Sequence, residues 1–236
     1  MSKADLRLAQ HAVLSAADAL ESASDELCRL DGAIGDGDHG LAMATAAKGI
    51  RSAIEERSPV DLSGLVTVVA NQFGAVGGAM GALSYVLVDA VGKAASTDGA
   101  PFSAAQLAHL LRAAEDAVTG FGGAKRGDKT IVDAIAPARE AAEECASLQR
   151  PAAKALLAAA AAAEEGAAST AQMIAHIGRA SRLGERSKGA VDAGATSFAI
   201  VLRALARSYA EATRRSVSCG NPVAASAKGH LPLLSA

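Results

Sequence analysis

Aromatic residues are scarce in this chain. Its 236 residues include four Phe, two Tyr and no Trp. Proteins that bind single-stranded nucleic acid stack the bases on aromatic side chains, and this chain offers few such platforms. Neither sign of charge is in excess, because 23 Lys and Arg face 25 Asp and Glu, for a net charge of −2. No basic surface attracts phosphate backbones from a distance, so we expect no nucleic-acid partner.

Cysteine and long apolar runs are also rare. The three cysteines, Cys28, Cys145 and Cys219, are far apart and form no CxxC pair, so they indicate neither a disulfide framework nor a cysteine metal site. The first residues lack the apolar core of a signal peptide. The apolar stretch 152–163 contains Lys154 and is too short and too rich in alanine to span a bilayer. We therefore expect a cytoplasmic protein with no membrane partner.

Small aliphatic residues must build the core. Hydrophobic residues make up 50% of the chain although aromatic residues make up only 3%. Alanine favours closely packed helices, so we predict an all-α fold. No linker divides the chain, which indicates one domain over residues 1–214 and a C-terminal tail over 215–236. The apolar spacing predicts helices over 4–29, 40–56, about 62–73, 83–91, 104–119, 131–146, 151–165, 168–180 and 195–214.

Four polar loops that contain glycine separate these helices, and functional residues are expected there. The loops cover residues 30–39, 74–81, 120–130 and 183–194. Four of the eight residues in the second loop are glycine, which indicates a break or a close backbone approach.

The first loop carries three aspartates within eight residues, Asp31, Asp36 and Asp38, interleaved with glycines. Like charges at this spacing repel one another unless a cation lies between them, and carboxylate oxygens suit Mg²⁺ or Ca²⁺. A solvated turn is the simpler alternative. An EF-hand is excluded, because its twelfth position would be Ala42 or Ala47 instead of glutamate. A helix is predicted to begin directly after the loop, and helix N-termini bind phosphate. Metal and phosphate together indicate a nucleotide or phosphoryl-transfer site.

Four motifs in order resemble those of the dihydroxyacetone kinase family, in particular its L subunit (DhaL) and the equivalent nucleotide domain of single-chain kinases. The similarity covers roughly residues 4–212. The motifs are Ile34-Gly35-Asp36-Gly37-Asp38-His39-Gly40, Gly77-Gly78-Ala79-Met80-Gly81, Gly127-Asp128-Lys129-Thr130, and Leu183-Gly184-Glu185-Arg186-Ser187 followed by Asp192-Ala193-Gly194-Ala195-Thr196-Ser197.

The resemblance implies a barrel of about eight antiparallel helices with the nucleotide site in the loops at one end. It implies that Asp31, Asp36 and Asp38 hold two Mg²⁺ ions that bridge the phosphates of ADP or ATP. The implied nucleotide and phosphate contacts are His39, Gly40, Leu41, Ala42, Ala79, Met80, Gly122, Arg179, Asp192, Ala193 and Gly194.

Lys129 is a further candidate phosphate partner, and Asp128 is a candidate partner for Lys129. Asp128 and Thr130 are also candidate caps for the next helix. The sequence departs from the family pattern at two places. Met80 stands where a serine is usual, and Ala190 and Ala193 replace the usual histidine and proline of Gly-His-x-Asp-Pro-Gly-Ala.

The resemblance implies a nucleotide-binding kinase subunit that transfers a phosphoryl group to dihydroxyacetone held by a partner K subunit. The donor is either exchangeable ATP or a bound ADP that a phosphoprotein of the phosphotransferase system rephosphorylates. Two alternatives stay open. The acceptor is another short ketose such as erythrulose, or the chain is a non-catalytic regulatory module loaded with ADP.

Overall fold

The computed structural model describes residues 3–95 and 102–218, and all regular structure within these ranges is helical. The prediction of a single all-α domain is confirmed. Nine α-helices and two 3₁₀ segments, Thr170–Gln172 and Arg179–Ser187, lie in the described ranges. The α-helices are α1 (Lys3–Ser22), α2 (Ser24–Gly32), α3 (His39–Arg57), α4 (Leu62–Ala75), α5 (Gly78–Ala95), α6 (Ala104–Gly122), α7 (Val132–Ser147), α8 (Ala152–Ser169) and α9 (Ala193–Ser218).

Eight of these helices close into a ring. Going round the barrel, α1 packs against α3, and each helix from α3 to α8 packs against the next one in sequence. The last helix, α9, packs against both α8 and α1 and so closes the ring. The short helix α2 stands outside this order and packs against α3 and α9.

Neighbouring helices of the ring run in opposite directions. Gly166 near the end of α8 lies against Asp133 at the start of α7, and Gly81 at the start of α5 lies against Phe73 near the end of α4. The connections before α3, α5, α7 and α9 therefore lie at one end of the barrel, which we call the site end. One contact between two helix starts supports this arrangement: His39 at the start of α3 forms a hydrogen bond with Ser197 in the first turns of α9. The N-termini of α3, α5, α7 and α9 thus lie at the site end together with the C-termini of their neighbours in the ring, so their partial charges largely offset one another.

Alanine fills the largest part of the core, between α6, α7, α8 and α9. Ala134, Ala138, Ala159, Ala163 and Ala195 are all fully buried there. Small side chains let the helix axes approach closely, and glycine takes this to its limit at one position. A Cβ atom on Gly166 would lie 2.3 Å from the carbonyl oxygen of Asp133. The composition thus explains both the helical fold and its tight packing.

The single helix predicted over residues 4–29 is wrong, because the chain bends at Ala23 between α1 and α2. The hydroxyl of Ser22 donates to the carbonyl oxygen of Asp18 at 2.8 Å, a bond that is typical of helix bends. The bend lets α2 turn onto α3 and α9 and bring Asp31 to the site end.

The helix predicted over residues 168–180 is also wrong. α8 ends at Ser169, a 3₁₀ turn follows, and the chain is then irregular until Arg179. Gly178 has a φ of +72°, which is incompatible with a right-handed helix. The hydroxyl of Thr170 bonds to the carbonyl oxygen of Ala167 at 2.6 Å and helps to end α8.

Three smaller differences concern helix boundaries. The break in the glycine-rich loop 74–81 covers only Val76 and Gly77, so α5 begins at Gly78, five residues before its predicted start. The loop predicted over 183–194 begins inside a 3₁₀ segment. The last helix runs to Ser218, and residues 219–236 lie outside the described part of the chain, so the domain boundary at 214 stays a prediction. None of the helices within 3–95 and 102–218 has the length and apolar character needed to cross a membrane.

Candidate functional site

The aspartate loop is folded around one of its own carboxylates. Asp31 lies in the last turn of α2, and its Oδ2 accepts the N–H of Gly37 at 2.8 Å and that of Asp38 at 3.1 Å. Gly37 has a φ of +78°, which glycine adopts without strain. These bonds curl residues 33–38 back over the end of α2. As a result, Asp36 and Asp38 face Asp31.

The three carboxylates converge on one point. One oxygen each from Asp31, Asp36 and Asp38 lie within 4.8 Å of one another. Asp31 is half-buried, whereas Asp36 and Asp38 are exposed to solvent. A Cβ atom on Gly35 would lie 2.4 Å from Oδ1 of Asp31, so this position needs glycine for the cluster to form. Carboxylate oxygens at this spacing fit a hard divalent cation such as Mg²⁺.

Helix α3 begins beside this cluster without a side-chain cap. Its N-cap residue, Asp38, makes no hydrogen bond from its side chain to the first turn. Asp61 and Ser103, by contrast, cap α4 and α6 in the usual way. The first amide groups of α3, at His39, Gly40 and Leu41, therefore keep the capacity to bind an anion. Leu41 is exposed and Ala42 is half-buried at the same turn.

Two residues of this turn also bind the helices together. A Cβ atom on Gly40 would lie 1.9 Å from the carbonyl oxygen of Ser24, so glycine lets α3 lie directly against α2. The side chain of His39 is buried, and its Nε2 lies 3.0 Å from Oγ of Ser197. Burial lowers the pKa of His39, although the charges of Asp31 and Asp38 oppose this effect. The His39 ring therefore links α3 to α9 as a neutral imidazole at pH 7.

Arg179 reaches the cluster from across the site end. It begins the second 3₁₀ segment, and its guanidinium forms an ion pair with the carboxylate of Asp36. An open groove of about 360 Å³ lies between this segment and the aspartate loop. The groove is lined by Ala33, Ile34, Gly35, Asp36, Arg179, Arg182 and Leu183.

Asp192, Ala193 and Gly194 form the start of α9. Oδ2 of Asp192 accepts the N–H of Ala195 at 2.7 Å and so caps the helix. Burial raises the pKa of Asp192 to about 6. The N–H of Ala195 and the charge of Lys129 lower it, whereas the charges of Asp133 and Asp31 raise it further. The Asp192 carboxylate is thus electrostatically coupled to the aspartate cluster.

The remaining predicted contacts lie at the site end on other helices. Ala79 and Met80 are in the first turn of α5, and Gly122 is the last residue of α6. Met80 is partly buried against a core cluster that contains Leu20, Leu27 and Met43. Its side chain therefore serves packing, whereas Ala79 in the same turn is exposed.

The prediction that Lys129 contacts phosphate is wrong. Its side chain is 2% exposed and its Nζ donates to the carbonyl oxygens of Thr170 and Ala190. Asp128 does not pair with Lys129 either: Oδ2 accepts the N–H of Lys125 at 2.7 Å, and Oδ1 lies 3.2 Å from Nδ1 of His176. Of the two expected caps, Thr130 accepts the N–H of Val132 at 3.3 Å, whereas Asp128 does not cap α7.

Asp133 is a structural residue of the site end that the sequence motifs did not single out. It is 3% exposed, and its carboxylate accepts the N–H of Gly127 at 2.6 Å and that of Thr130 at 2.8 Å. The sequence offered one signal for this role: Asp133 lies three residues after the Gly-Asp-Lys-Thr turn, and acidic residues favour the first turn of a helix.

Comparison with known proteins identifies the family. The DAK2 domain matches residues 33–207. The chain is 39% identical over 210 residues to D-erythrulose kinase of Mycolicibacterium smegmatis, which covers 86% of this chain and 36% of that protein. It is 33% identical over 193 residues to the ADP-binding subunit DhaL of the PEP-dependent dihydroxyacetone kinase of Escherichia coli, covering 80% of this chain and 90% of that subunit. The chain spans about a third of the length of the erythrulose kinases that it matches.

The fold matches the crystal structure of the dihydroxyacetone kinase of C. freundii in its native form. The TM-score is 0.67 at 28% identity, covering 88% of this chain and 35% of that one. The complex of that kinase with AMP-PNP and Mg²⁺ matches with a TM-score of 0.64. These relatives are kinases or kinase subunits, and the chain belongs to the DAK2 domain family.

Proposed function

We propose that this chain is the nucleotide-binding part of a ketose kinase. In this proposal it holds a Mg²⁺-bound adenine nucleotide whose phosphoryl group passes to a short-chain ketose on a partner K subunit. The convergence of Asp31, Asp36 and Asp38 beside the uncapped start of α3 carries the proposal. A carboxylate cluster that can hold a metal, next to an anion site, suits phosphoryl transfer, because the reaction depends on positioning and charge neutralisation.

Asp31, Asp36 and Asp38 would hold the metal, which neutralises phosphate charge when it is bound. The N–H groups of the first turn of α3 would donate to phosphate oxygens. Arg179 would supply a further positive charge, since it already reaches Asp36. The start of α9 at Asp192, Ala193 and Gly194, together with Gly122 and the Ala79–Met80 backbone, would form the rest of the nucleotide site.

Titration calorimetry with Mg-ADP and Mg-ATP tests this proposal. We expect the wild-type chain to bind both nucleotides. The Kd of the double variant Asp36→Asn/Asp38→Asn should be higher by about tenfold or more, because it loses two charged ligands. Asp25→Asn is the matched control, since Asp25 is an exposed carboxylate on α2 outside the cluster. Absence of wild-type binding, or an equal loss in the control, would refute the proposal.

Two phosphoryl donors fit this proposal. The ADP-binding DhaL subunit of E. coli belongs to a PEP-dependent kinase, which supports a bound ADP that a phosphoprotein recharges. The crystal complex with AMP-PNP and Mg²⁺ supports direct use of ATP. Mass analysis of the nucleotide released from purified protein separates them: retained stoichiometric ADP favours the first, and an empty site that binds ATP reversibly favours the second.

Erythrulose is a second candidate acceptor beside dihydroxyacetone. Two erythrulose kinases of M. smegmatis are 39% and 41% identical to this chain, compared with 33% for the E. coli DhaL subunit. Assays with a K subunit and a panel of dihydroxyacetone, D-erythrulose and L-erythrulose identify the acceptor by the phosphorylated product. Retained ADP without turnover of any ketose or use of any donor would instead support a regulatory module.

A further inference from the structure

Lys129 has an unusual backbone as well as a buried side chain. Its φ is +61°, in the left-handed region that residues other than glycine rarely adopt. Two other non-glycine residues of the described ranges, Ser58 and Gln149, also have a positive φ. Ser58 directly follows α3 and Gln149 lies two residues after α7, and a positive φ is common at the ends of helices. Lys129 instead precedes a helix, so helix termination does not explain it.

The buried ammonium connects three segments of the site end. Nζ of Lys129, in the connection between α6 and α7, donates to the carbonyl oxygen of Thr170 at 2.5 Å and to that of Ala190. These acceptors lie 41 and 61 residues further along the chain. Thr170 begins the turn after α8, and Ala190 lies in the connection that leads into α9. The three segments are far apart in sequence, so only contacts between residues distant along the chain can hold them together.

The groups around the side chain of Lys129 favour a positively charged side chain over an apolar one. The carboxylates of Asp192 and Asp133 stabilise the ammonium electrostatically, although burial lowers its pKa. An apolar side chain would leave the inward carbonyl oxygen of Ala190 without this donor, which is costly in a buried position, whereas that of Thr170 would keep the N–H of Met173 at 3.0 Å. A buried charge is seldom the most stable solution for a core, so the Lys129 ammonium at this position fits a need for one defined geometry.

The segment that Lys129 holds is the one that leads into α9. The N–H of Asp192 donates to Oγ1 of Thr170 at 2.8 Å, and the N–H of Gly189 donates to the carbonyl oxygen of Ala171 at 2.7 Å. Residues 189–192 are therefore fixed to the turn after α8 at both ends. Lys129 adds a bond between these two attachments, through Ala190.

We infer that Lys129 is a positioning residue, which holds residues 189–192 in place so that Asp192, Ala193 and Gly194 form one wall of the nucleotide site. This inference rests on the proposed function. It assigns no contact between Lys129 and the nucleotide. The aspartate cluster takes its shape from Asp31 and the 33–38 loop, so Lys129 affects the nucleotide wall and leaves the metal ligands unchanged.

The test is Lys129→Met, which keeps the length and bulk of the side chain but removes the ammonium. The matched control is Arg139→Met, because Arg139 is a cation with 16% side-chain exposure that links α7 to Glu115 of α6. Three quantities are measured well below the melting temperature of each variant: the Kd of Mg-ADP, the Kd of Mn²⁺ alone, and the amide hydrogen exchange of Gly189 and Asp192.

We expect Lys129→Met to raise the Kd of Mg-ADP by tenfold or more, to leave the Kd of Mn²⁺ within twofold, and to speed exchange at Gly189 and Asp192. Arg139→Met should lower the melting temperature without changing either Kd. If Lys129→Met fails to fold, Lys129→Gln replaces it, since its amide keeps one carbonyl partner and loses the charge. We then expect a smaller change in the same direction.

A folded variant that binds Mg-ADP as wild type does would overturn the inference, as would slow exchange at Gly189 and Asp192. An equal loss of affinity in Arg139→Met would also overturn it, because general destabilisation would then explain the effect. If the wild-type chain itself binds no Mg-nucleotide, the proposed function fails and takes the assignment of the wall with it. The exchange rates then show separately whether Lys129 holds the loop.

Discussion

Asp31 has two tasks within one side chain. Its Oδ2 accepts two backbone N–H groups and thereby gives residues 33–38 their shape. Its carboxylate also belongs to the group of three whose oxygens lie within 4.8 Å of one another. Because the same residue shapes the loop and joins the cluster, the candidate metal site is prearranged by local bonds. Such prearrangement reduces the entropy that a ligand must overcome when it binds.

The buried carboxylate of Asp192 makes the free energy of unfolding depend on pH. Burial raises its pKa from 3.8 to about 6. Between these values the folded chain holds a proton that the unfolded chain releases, so the contribution of Asp192 to the free energy of unfolding falls as pH rises through this window. The rise in pKa is equivalent to about 3 kcal/mol. This trend is the opposite of that for a carboxylate whose pKa is lowered by an ion pair.

We expect Asp192→Asn to remove this pH dependence, because asparagine still caps α9 through its Oδ1 but carries no charge. The free energy of unfolding of the variant minus that of wild type should grow between about pH 4 and pH 7, by as much as about 3 kcal/mol. Denaturant titrations at several pH values, without metal or nucleotide, measure the difference. Parallel curves for the two proteins would contradict the prediction.

At the scale of the element, helix starts differ according to what they face. α4 begins at Asp61, whose Oδ1 accepts the N–H of Gly64 at 2.7 Å. α3 begins at Asp38, also an aspartate, whose side chain makes no such bond and instead faces two other carboxylates. The same residue type therefore stabilises one helix and contributes to a candidate ligand site at the other.

This contrast predicts unequal costs for two matched substitutions. Asp61→Ala should lower the free energy of unfolding by about 1 kcal/mol, because a cap bond is lost. Asp38→Ala should change it by less than about 0.5 kcal/mol, or raise it, because no cap bond is lost and repulsion within the cluster is relieved. Urea titrations in the absence of divalent metal compare the two. A larger loss for Asp38→Ala would show that this residue caps α3 after all.

Local signals in the sequence were sufficient for most elements and for the aspartate cluster. Helices follow from apolar spacing, and Asp31, Asp36 and Asp38 lie close in space because they lie close in sequence. The bend at Ala23 and the non-helical segment 173–178 could not be predicted in this way, since tertiary packing and a single glycine conformation decide them. The burial of Lys129 depends on carbonyl groups 41 and 61 residues away, which no local pattern indicates.

At the scale of the whole molecule, the ring brings the uncapped start of α3 and three carboxylates to one end. The free N–H groups of that helix start favour an anion, and the carboxylates favour a cation. A metal–phosphate complex satisfies both at once, whereas either ion alone satisfies only one. The start of α3 and the aspartate cluster thus suit a ligand that carries both signs.

Divalent metal should therefore stabilise the entire domain. At a Mg²⁺ concentration of a hundred times Kd, the gain is about 3 kcal/mol, which corresponds to roughly 5–10 °C in Tm for a domain of this size. Chelation with EDTA should reverse it. Differential scanning calorimetry measures the shift, with NaCl at equal ionic strength and the Asp36→Asn/Asp38→Asn variant as controls. An equal shift in either control would contradict specific binding at the cluster.

The closure of the ring by α9 has a consequence for synthesis on the ribosome. His39 at the start of α3 finds its partner, Ser197, 158 residues later in the chain. At about 5–20 residues per second, translation needs roughly 10–30 s to cover this distance. During that time the aspartate loop exists next to a barrel that still lacks its last wall. A nascent chain therefore carries its acidic cluster for many seconds before the rest of the site end is assembled around it.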